Sequence, residues 1–332
     1  MGWKMKSQLL RVGTVGFGLA TALALSIGAH ALPPPAVQEH LDKAKELAGN
    51  DLELKNSIGL MCTQIASNGP DLATARSQSL PIPPPTKAFD NLYYVGIGSV
   101  GSWALTTSDG IILFDTLDNS QEAETYIVGG LKKIGLNPSD IKYIVITHGH
   151  GDHYGGALYM QDHYPQVHLL MSDVDYALAE KSASSPARNG RPQAPAPRRD
   201  MIVTSGQKLT LGDTTLTLYV YPGHTPGAIS TIIPVKDHGK PHLLSFWGGT
   251  TPPRDHEMQQ KYVQSFADFT QKVKASGAEG LISNHPVWDG TIDKLAMIRA
   301  NPNGRNPYLI GKEKMDRYTA VQNECVAAAL AQ

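Results

Sequence analysis

The pattern of apolar and polar positions divides the chain into three regions. The first 31 residues contain an apolar run over residues 12–27 that follows three basic side chains. Residues 32–86 predict a helical extension, with two short helices over 36–66 separated by Gly-Asn-Asp, and then a Pro-rich linker. From residue 87 to 332, short β-rich segments alternate with helical ones, and this alternation predicts a layered α/β domain.

Several predicted strands of the third region run directly into polar, glycine-rich loops. Residues 141–147 form a continuous apolar strand, and the letters HGHGDH follow it. PGHTPG follows a pair of strands predicted over 209–221, and SNHP follows a short strand at 281–283. No Gly-x-Gly-x-x-Gly follows a strand and no phosphate loop is present, so the pattern does not indicate a nucleotide-binding fold.

The amino-terminal region has the layout of a secretory signal peptide. Lys4, Lys6 and Arg11 precede the apolar run, and Ala29-His30-Ala31 forms a small-x-small cleavage site. A membrane anchor is the alternative, but the run of about 16 residues is shorter than the roughly 20 that a span needs. We therefore expect residues 1–31 to be removed, leaving a periplasmic or secreted protein with no membrane span.

Export changes the meaning of the two cysteines, Cys62 and Cys325. In an oxidising compartment a lone pair of cysteines is usually a disulfide. We expect such a bond to tie the amino-terminal extension to the predicted carboxy-terminal helix. Two unrelated buried thiols are the alternative.

Composition and charge restrict the partners. The chain has 332 residues, of which 41% are hydrophobic, and this content is normal for a folded protein. Its 29 basic and 30 acidic residues give a net charge of −1, and three of the basic residues lie in the predicted signal peptide. A nucleic-acid binder is not indicated by this balance. We expect a small-molecule substrate, and the sequence leaves the oligomeric state open.

A cluster of metal-ligand residue types occupies the first of the loops. His148, His150, Asp152 and His153 lie within six residues, and Gly149 and the next glycine let the backbone turn between them. Three imidazoles and a carboxylate are costly to bury without a partner, and Zn²⁺ is the ion that suits these ligands.

Two more histidines follow strands in the same way. His224 lies in PGHTPG and His285 lies in SNHP. Because strand ends converge on one crevice in layered α/β folds, both side chains are expected beside the first cluster. Five histidines and one aspartate are enough ligands for two metal ions.

The motif HGHGDH followed by GHTPG resembles that of the metallo-β-lactamase superfamily, and is most similar to the third, B3-type subclass. The resemblance covers roughly residues 87–331 and implies a four-layer αβ/βα sandwich. It also implies two Zn²⁺ ions per chain. Site one would consist of His148, His150 and His224. Site two would consist of Asp152, His153 and His285.

The activity that the resemblance implies is that of an exported zinc hydrolase. Such an enzyme opens a C–N or C–O acyl bond by metal-bound hydroxide, most simply as a β-lactamase-like enzyme. Asp152 would be the catalytic residue that orients the nucleophile. The candidate substrate-binding residues are Tyr154, Thr250 and Trp288, with Trp247 and the 188–199 loop as further candidate pocket walls.

One position separates branches of the superfamily. Thr250 stands where other members carry a bridging aspartate or a cysteine ligand, which argues against the glyoxalase II and lactonase branches and fits the B3 subclass. The following Thr251-Pro252-Pro253 offers no match for the Lys or Ser that binds a β-lactam carboxylate. An esterase, lactonase or thioesterase acting on another substrate therefore stays open.

Three other function classes are less favoured. A di-iron oxygen- or NO-reducing protein of this superfamily would carry Glu at His150. A nuclease is opposed by the acidic balance and the predicted export. A non-catalytic metal-binding protein would not need the full six-residue set.

Overall fold

The computed structural model describes residues 33–67, 78–187 and 193–332, and of residues 63–67 it describes the backbone alone. The predicted signal peptide, residues 1–31, lies outside the described residues, as do parts of the predicted linker and of the 188–199 loop. The predicted domain boundaries therefore stay a prediction. Within the described ranges, no helix combines the length and the apolar character needed to cross a membrane.

The first sheet has seven strands in chain order. They are β1 (Thr86–Phe89), β2 (Leu92–Tyr94), β3 (Trp103–Thr107), β4 (Gly110–Phe114), β5 (Ile141–Val145), β6 (His168–Met171) and β7 (Met201–Ile202). The strands from β1 to β4 form an antiparallel meander, whereas those from β4 to β7 are parallel. Helical connections between the parallel strands are the expected consequence.

The second sheet has five strands. They are β8 (Gln207–Leu211), β9 (Thr214–Tyr221), β10 (Ala228–Asp237), β11 (Lys240–Phe246) and β12 (Gly280–Ile282). The spatial order is β12-β11-β10-β9-β8, antiparallel except for the parallel pair of β11 and β12. A long helix separates β11 from β12 in the chain, as a parallel connection requires.

The α-helices lie before, between and after these strands. They are α1 (Pro35–Ala48), α2 (Leu52–Ser67), α3 (Ser120–Glu122), α4 (Gly129–Lys133), α5 (Gly151–Tyr154), α6 (Ala157–His163), α7 (Asp173–Ala183), α8 (His256–Ser276), α9 (Pro286–Asp289), α10 (Thr291–Ala300) and α11 (Lys312–Leu330). A π-helix (Ala123–Val128) joins α3 to α4, and a 3₁₀-helix (Pro138–Asp140) precedes β5.

Alternation along the strands builds four layers. In β4, Ile112 and Phe114 face the second sheet and pack with residues such as Leu244 of β11. The intervening Ile111 and Leu113 face the opposite way, into a cluster formed with helices α4, α6 and α7. Helices α8 and α11 cover the outer face of the second sheet. The predicted αβ/βα sandwich is therefore confirmed.

The amino-terminal extension packs on the carboxy-terminal helix. Helices α1 and α2 share an apolar cluster with α8, α9 and α11, and a disulfide joins Cys62 of α2 to Cys325 of α11. Glu53 adds ion pairs to Lys294 and Lys314 at 3.0 and 2.7 Å. The predicted two helices and the predicted disulfide are both confirmed.

Short elements were missed by the sequence patterns. Strand β1 begins at Thr86, in a segment predicted to be linker, and α5 forms inside the segment predicted to be the His148 loop. Helices α9 and α10 were not predicted either. Elements of three to ten residues carry too few apolar positions to set a period, and tertiary contacts decide them.

Candidate metal centre

The loops that follow three strands meet at one end of the sandwich. The loop after β5 supplies His148, His150, Asp152 and His153, the loop after β9 supplies His224, and the residues after β12 supply His285. Two groups result, each with its ligand-type atoms within 4.8 Å of one another. The first contains His148, His150 and His224; the second contains Asp152, His153 and His285.

The three rings of the first group surround a common point. Their centroids lie 4.5 to 4.9 Å apart and their planes are nearly perpendicular. His224 Nδ1 lies 2.6 Å from the Thr251 carbonyl oxygen, and His148 Nδ1 lies 3.2 Å from Thr147 Oγ1. The Nε2 atoms of His148 and His224 are 3.2 Å apart. Both Nε2 atoms therefore face the space inside the group.

The second group repeats this arrangement with a carboxylate. His153 Nδ1 lies 2.8 Å from Asp115 Oδ2, and His285 Nδ1 lies 2.8 Å from the Ser99 carbonyl oxygen. The two Nε2 atoms are 3.1 Å apart. Asp152 Oδ2 is 3.4 Å from the Nε2 atom of His153 and 3.8 Å from that of His285.

The tautomers follow from the partners of the Nδ1 atoms. A carbonyl oxygen only accepts hydrogen bonds, so His224 and His285 each donate from Nδ1–H and leave Nε2 as a lone pair. The hydroxyl of Thr147 donates to Asp115 Oδ2 at 2.8 Å, so toward His148 it acts as an acceptor. His148 Nε2 is thus also a lone pair, 3.2 Å from that of His224.

Two facing lone pairs repel unless a cation lies between them. Tetrahedral ligands about 2.0–2.1 Å from Zn²⁺ are about 3.3 Å from each other. The Nε2–Nε2 separations of 3.2 and 3.1 Å are close to this value. The donor set, the tautomers and the spacing of both groups therefore fit a metal ion of this kind.

Two imidazoles of the first group, those of His148 and His224, are held neutral. Burial lowers the pKa of His148 well below its usual value, and the neighbouring histidines add to the effect. Burial and His150 likewise lower the pKa of His224 to about 3. A neutral imidazole is the form that binds a metal, so this group needs no deprotonation of these two residues near pH 7.

The second group has the opposite charge character. Burial alone would lower the pKa of His153, but the carboxylates of Asp152 and Asp115 outweigh it and raise that pKa to about 10. Burial would raise the pKa of Asp152, yet the adjacent imidazoles hold it well below its usual value. The pKa of His285 is lowered by burial and by His153. Without a metal, His153 is therefore the imidazolium of this group, beside a neutral His285 and an ionised Asp152.

A buried polar network supports both groups from below. Asp115 accepts hydrogen bonds from the backbone N–H and the hydroxyl of Thr147 at 2.7 and 2.8 Å. Asn284 donates from Nδ2 to Thr147 Oγ1 and to the Gly248 carbonyl oxygen, both at 2.9 Å. Asp115 also adopts a left-handed backbone with φ of 59°, which is uncommon for a residue other than glycine.

Sequence reasoning missed the members of this network. Asp115 ends the apolar strand β4 in the letters LFDT, and Asn284 precedes His285. A polar residue at the end of a buried strand, next to a predicted ligand loop, is the signal that could have found both. Both residues orient the metal-ligand side chains through hydrogen bonds. A pattern in one sequence reveals residues of the types that bind metals, but it does not reveal the residues that orient them.

The residues predicted to bind substrate are largely buried. Tyr154 is 1% exposed, and Thr250 and Trp288 are each 7% exposed. Tyr154 packs in the apolar cluster beneath helices α6 and α7, whereas Trp288 packs against the amino-terminal extension. Substrate contact by these three residues stays a prediction, as does contact by the 188–199 loop, which is described only in part.

A small internal cavity lies behind Thr250. It measures about 40 Å³ and is bordered also by Trp247, Trp288 and Met61 of α2. Small-molecule sites usually enclose about 300 Å³ or more, so this cavity is too small to hold a substrate of drug size. Thr250 Oγ1 is buried without a hydrogen-bond partner, so it makes no hydrogen bond to the imidazoles.

Comparisons with known proteins agree with this fold. The family model described as the metallo-beta-lactamase superfamily matches residues 95–239. BJP-1, a subclass B3 metallo-beta-lactamase of Bradyrhizobium japonicum, is 30% identical; the superposition covers 74% of this chain and 92% of that chain with a TM-score of 0.62.

Two curated proteins match over shorter stretches. Hydroxyacylglutathione hydrolase GloC of Haemophilus influenzae is 30% identical over 117 residues, which is 35% of this chain and 53% of GloC. The uncharacterized protein YobT of Bacillus subtilis is 29% identical over 97 residues, which is 27% of this chain and 40% of YobT. The chain thus spans about half the length of these curated relatives or less.

The chain belongs to the metallo-β-lactamase superfamily. Its structural likeness is to the B3 subclass, as the similarity to BJP-1 over 74% of this chain shows. The resemblance inferred from HGHGDH and GHTPG is therefore confirmed.

Proposed function

We propose that the protein is an exported hydrolase with two zinc ions, opening a C–N or C–O acyl bond of a small-molecule substrate. Zinc would be held in site one by His148, His150 and His224. A second zinc would be held in site two by Asp152, His153 and His285. The structural likeness to BJP-1, a B3 metallo-beta-lactamase, supports a β-lactamase-like activity.

One observation carries the proposal. In each site two Nε2 atoms converge to 3.2 or 3.1 Å, and their Nδ1 atoms are committed to other partners. In site one the two facing lone pairs share no hydrogen bond, whereas in site two the raised pKa of His153 gives this ring a proton to donate to His285. The ligand types and the spacing of both sites fit a divalent cation. Two such sites, formed by loops that are adjacent in space, are the arrangement that a binuclear hydrolase requires.

Zinc in such sites supplies Lewis-acid polarisation of a carbonyl and lowers the pKa of bound water to about 7. The residues of the chain supply orientation. Asp152 is ionised at neutral pH because its pKa is lowered, so it accepts a hydrogen bond from the attacking water and aims it. Asp115 holds the His153 ring in the orientation that points Nε2 inward. His150 is exposed, which places one ligand at the solvent-facing side.

The substrate class has two candidates. Likeness to BJP-1, a B3 metallo-beta-lactamase, over 92% of its chain favours a β-lactam. Partial similarity to GloC, a hydroxyacylglutathione hydrolase, and the absence of a Lys or Ser in the letters TTPP favour another ester, lactone or thioester. Both candidates use the same metal centre and the same attack on a carbonyl.

Export is supported by two features. The disulfide between Cys62 and Cys325 is of a kind that persists in oxidising compartments. The basic and apolar residues at 1–31 have the order of a signal peptide. Amino-terminal sequencing of the protein from a periplasmic fraction should begin directly after Ala31, and a chain that keeps residues 1–31 would contradict export by cleavage.

A hydrolysis panel with the zinc-loaded mature protein tests the activity. Penicillins, cephalosporins and carbapenems should be compared with lactones, aryl esters and thioesters at matched concentrations. We expect β-lactam opening, lost on chelation and restored by Zn²⁺. Turnover of the esters or thioesters alone would select the second candidate. Bound zinc without turnover of any substrate would favour a non-catalytic metal-binding protein.

A further inference from the structure

A buried carboxylate that belongs to neither metal group lies between the two loops of site one. Asp175, in the first turn of α7, is 0% exposed. Its Oδ2 atom accepts from the backbone N–H of Gly149 at 2.8 Å and from the hydroxyl of Thr225 at 2.6 Å. Its Oδ1 atom accepts from the backbone N–H of Gly227 at 2.9 Å.

The three donors come from the segments that carry the site-one histidines. Gly149 lies between His148 and His150, and Thr225 follows His224 directly. Hydrogen bonds to a charged acceptor are stronger than those between neutral groups. One side chain therefore fixes the distance between the β5 loop and the β9 loop.

The close approach of both loops to α7 is built into the backbone. A Cβ atom at Gly149 would lie 2.9 Å from the Asp175 carbonyl oxygen and 3.2 Å from the Asp175 Cβ atom. At Gly227 it would lie 1.9 Å from Ser172 Oγ. Glycine at both positions lets the loops come within hydrogen-bonding range of the carboxylate.

Helix α7 is itself well anchored. Tyr176, the next residue along the chain, is 0% exposed and donates from its hydroxyl to the Leu169 carbonyl oxygen at 3.0 Å. Leu169 lies in β6, the neighbour of β5. The carboxylate thus extends from a fixed helix that packs on the first sheet, and the β9 loop is held to that same reference point.

We propose that Asp175 is the positioning residue of site one, setting the separation of His224 from the His148–His150 pair through both loops. This inference rests on the proposed metal centre. Asp175 would not contact the metal or the substrate. Its loss would weaken zinc in site one through geometry, and zinc in site two would be affected little.

The molecule contains a matched control for a buried carboxylate. Asp289, 5% exposed, accepts from the backbone N–H of Ser283 at 3.0 Å and from the N–H and hydroxyl of Thr291 at 3.0 and 2.8 Å. It also receives three hydrogen bonds, but on the segment that carries His285 of site two. Asp289→Asn therefore controls for the general cost of changing a buried, hydrogen-bonded carboxylate.

The test measures zinc binding to each site separately, by competition with a chromophoric chelator and by metal analysis. A His285→Ala background reports mainly on site one, and a His224→Ala background reports mainly on site two. Each background receives three test variants, Asp175→Asn, Asp175→Ala and Thr225→Val. The control variant Asp289→Asn is placed in the same two backgrounds. Circular dichroism of the metal-free proteins shows which variants are folded.

In the site-one background we expect Asp175→Ala to weaken zinc binding by about 10–100-fold, the range found for partners of metal ligands. Asp175→Asn should have a smaller effect, because an amide still offers one acceptor oxygen. Thr225→Val, which removes a single hydrogen bond, should weaken binding by a few-fold. Asp289→Asn should stay within about twofold there and should weaken zinc in the site-two background instead.

The outcomes separate this inference from the proposed function. A wild-type protein that binds no zinc would overturn the metal centre itself. A wild-type protein with two zinc ions, together with folded Asp175 variants whose site-one affinity is unchanged, would overturn the positioning role alone. If Asp175→Ala does not fold, the test rests on Asp175→Asn and Thr225→Val. Equal weakening of zinc binding at both sites by these two variants would also overturn the positioning role.

Discussion

Site one and site two lie side by side but differ in charge and in origin. Site one is made of three imidazoles from two loops, after β5 and after β9, and the pKa values of His148 and His224 are lowered by burial. Site two pairs a carboxylate with two imidazoles, and the pKa of His153 is raised to about 10.

The difference determines what metal binding must overcome at each site. Site one presents neutral lone pairs that face each other, so it is destabilised until a positive ion enters. In site two His153 is protonated and lies between Asp152 and His285. Its positive charge balances the Asp152 carboxylate in the absence of a metal ion. Metal binding to site two therefore has to displace a proton, while binding to site one through His148 and His224 does not.

The largest expected effect is the loss of a ligand from either site. His224→Ala and His285→Ala should each remove one zinc and lower kcat/KM by more than the roughly 100-fold that outer partners cost. Asp152→Ala should do the same, because it removes both a ligand and the group that orients the water. Metal analysis and kinetics with the best substrate of the panel measure these losses.

The control for this prediction is His163→Ala. His163 is exposed on α6 and its Nδ1 lies 3.0 Å from the Tyr159 carbonyl oxygen, outside both groups. It should leave zinc content and activity near those of the wild type. A His285→Ala protein with two zinc ions and full activity would show that the assignment of site two is wrong.

The second effect is a contrast in pH dependence. Because the pKa of His153 is about 10 without metal, its proton is present at neutral pH and must leave when zinc binds. Zinc affinity at site two should therefore rise as pH rises, by up to about tenfold per pH unit from pH 7.5 to 9. Site one should change little over the same range, since the pKa values of His148 and His224 are already low.

Chelator competition at several pH values measures this contrast, with the His224→Ala protein for site two and the His285→Ala protein for site one. Asp115→Asn removes one of the two carboxylates that raise the pKa of His153, so this pKa should fall. The increase of zinc affinity with pH at site two should then occur at lower pH than in the parent protein. Equal slopes at the two sites would contradict the charge difference between them.

Ligand types were readable from the sequence, but the groups that hold them were not. His148, His150, Asp152 and His153 share one short motif, and His224 and His285 each follow a strand, so local spacing reveals them. Asp115, Asp175 and Asn284 act through contacts between residues 26 to 137 positions apart. No local period reports such long-range contacts.

The reason for one glycine also differs from the expected one. Gly149 was predicted, with Gly151, to let the backbone turn so that Asp152 and His153 face the same space as His148 and His150. In the structure the requirement for glycine is steric, because a Cβ atom at this position would crowd Asp175. The sandwich itself was predictable because long strands and helices alternate, whereas β1, α9 and α10 depend on packing that one sequence does not encode locally.

A smaller effect is expected from the disulfide. Residues Met61 and Cys62 of α2 share an apolar cluster with Trp288, which lies three residues after His285. Cys325→Ser should lower the free energy of unfolding by about 2–5 kcal/mol, because the bond closes a loop of 263 residues. Urea denaturation of the mature protein measures this loss.

The same variant sharpens the comparison of the sites. Loosening α2 should affect site two, through the helix that follows His285, more than site one. We expect zinc in site two to weaken by a few-fold and zinc in site one to stay the same. Weakening confined to site one would show that the extension does not support His285.

The smallest effect is expected from Thr250→Val. Thr250 was predicted to stand at the position of a bridging ligand, and its hydroxyl is buried without a hydrogen-bond partner. Removing an unpaired buried hydroxyl while keeping the shape is close to neutral, so stability should change by no more than about 1 kcal/mol. Both zinc ions should remain, because neither site uses this oxygen.

The matched control is Thr147→Val, another hydroxyl lost from a buried threonine of the same centre. Thr147 Oγ1 donates to Asp115 and accepts from Asn284 and His148, so its removal takes one hydrogen bond from each of these three buried groups and should cost about 1–3 kcal/mol. Zinc analysis and urea denaturation of the two valine variants give the comparison directly. Loss of a zinc ion from Thr250→Val, with a normal fold, would make Thr250 a ligand and would assign site two a fourth protein group.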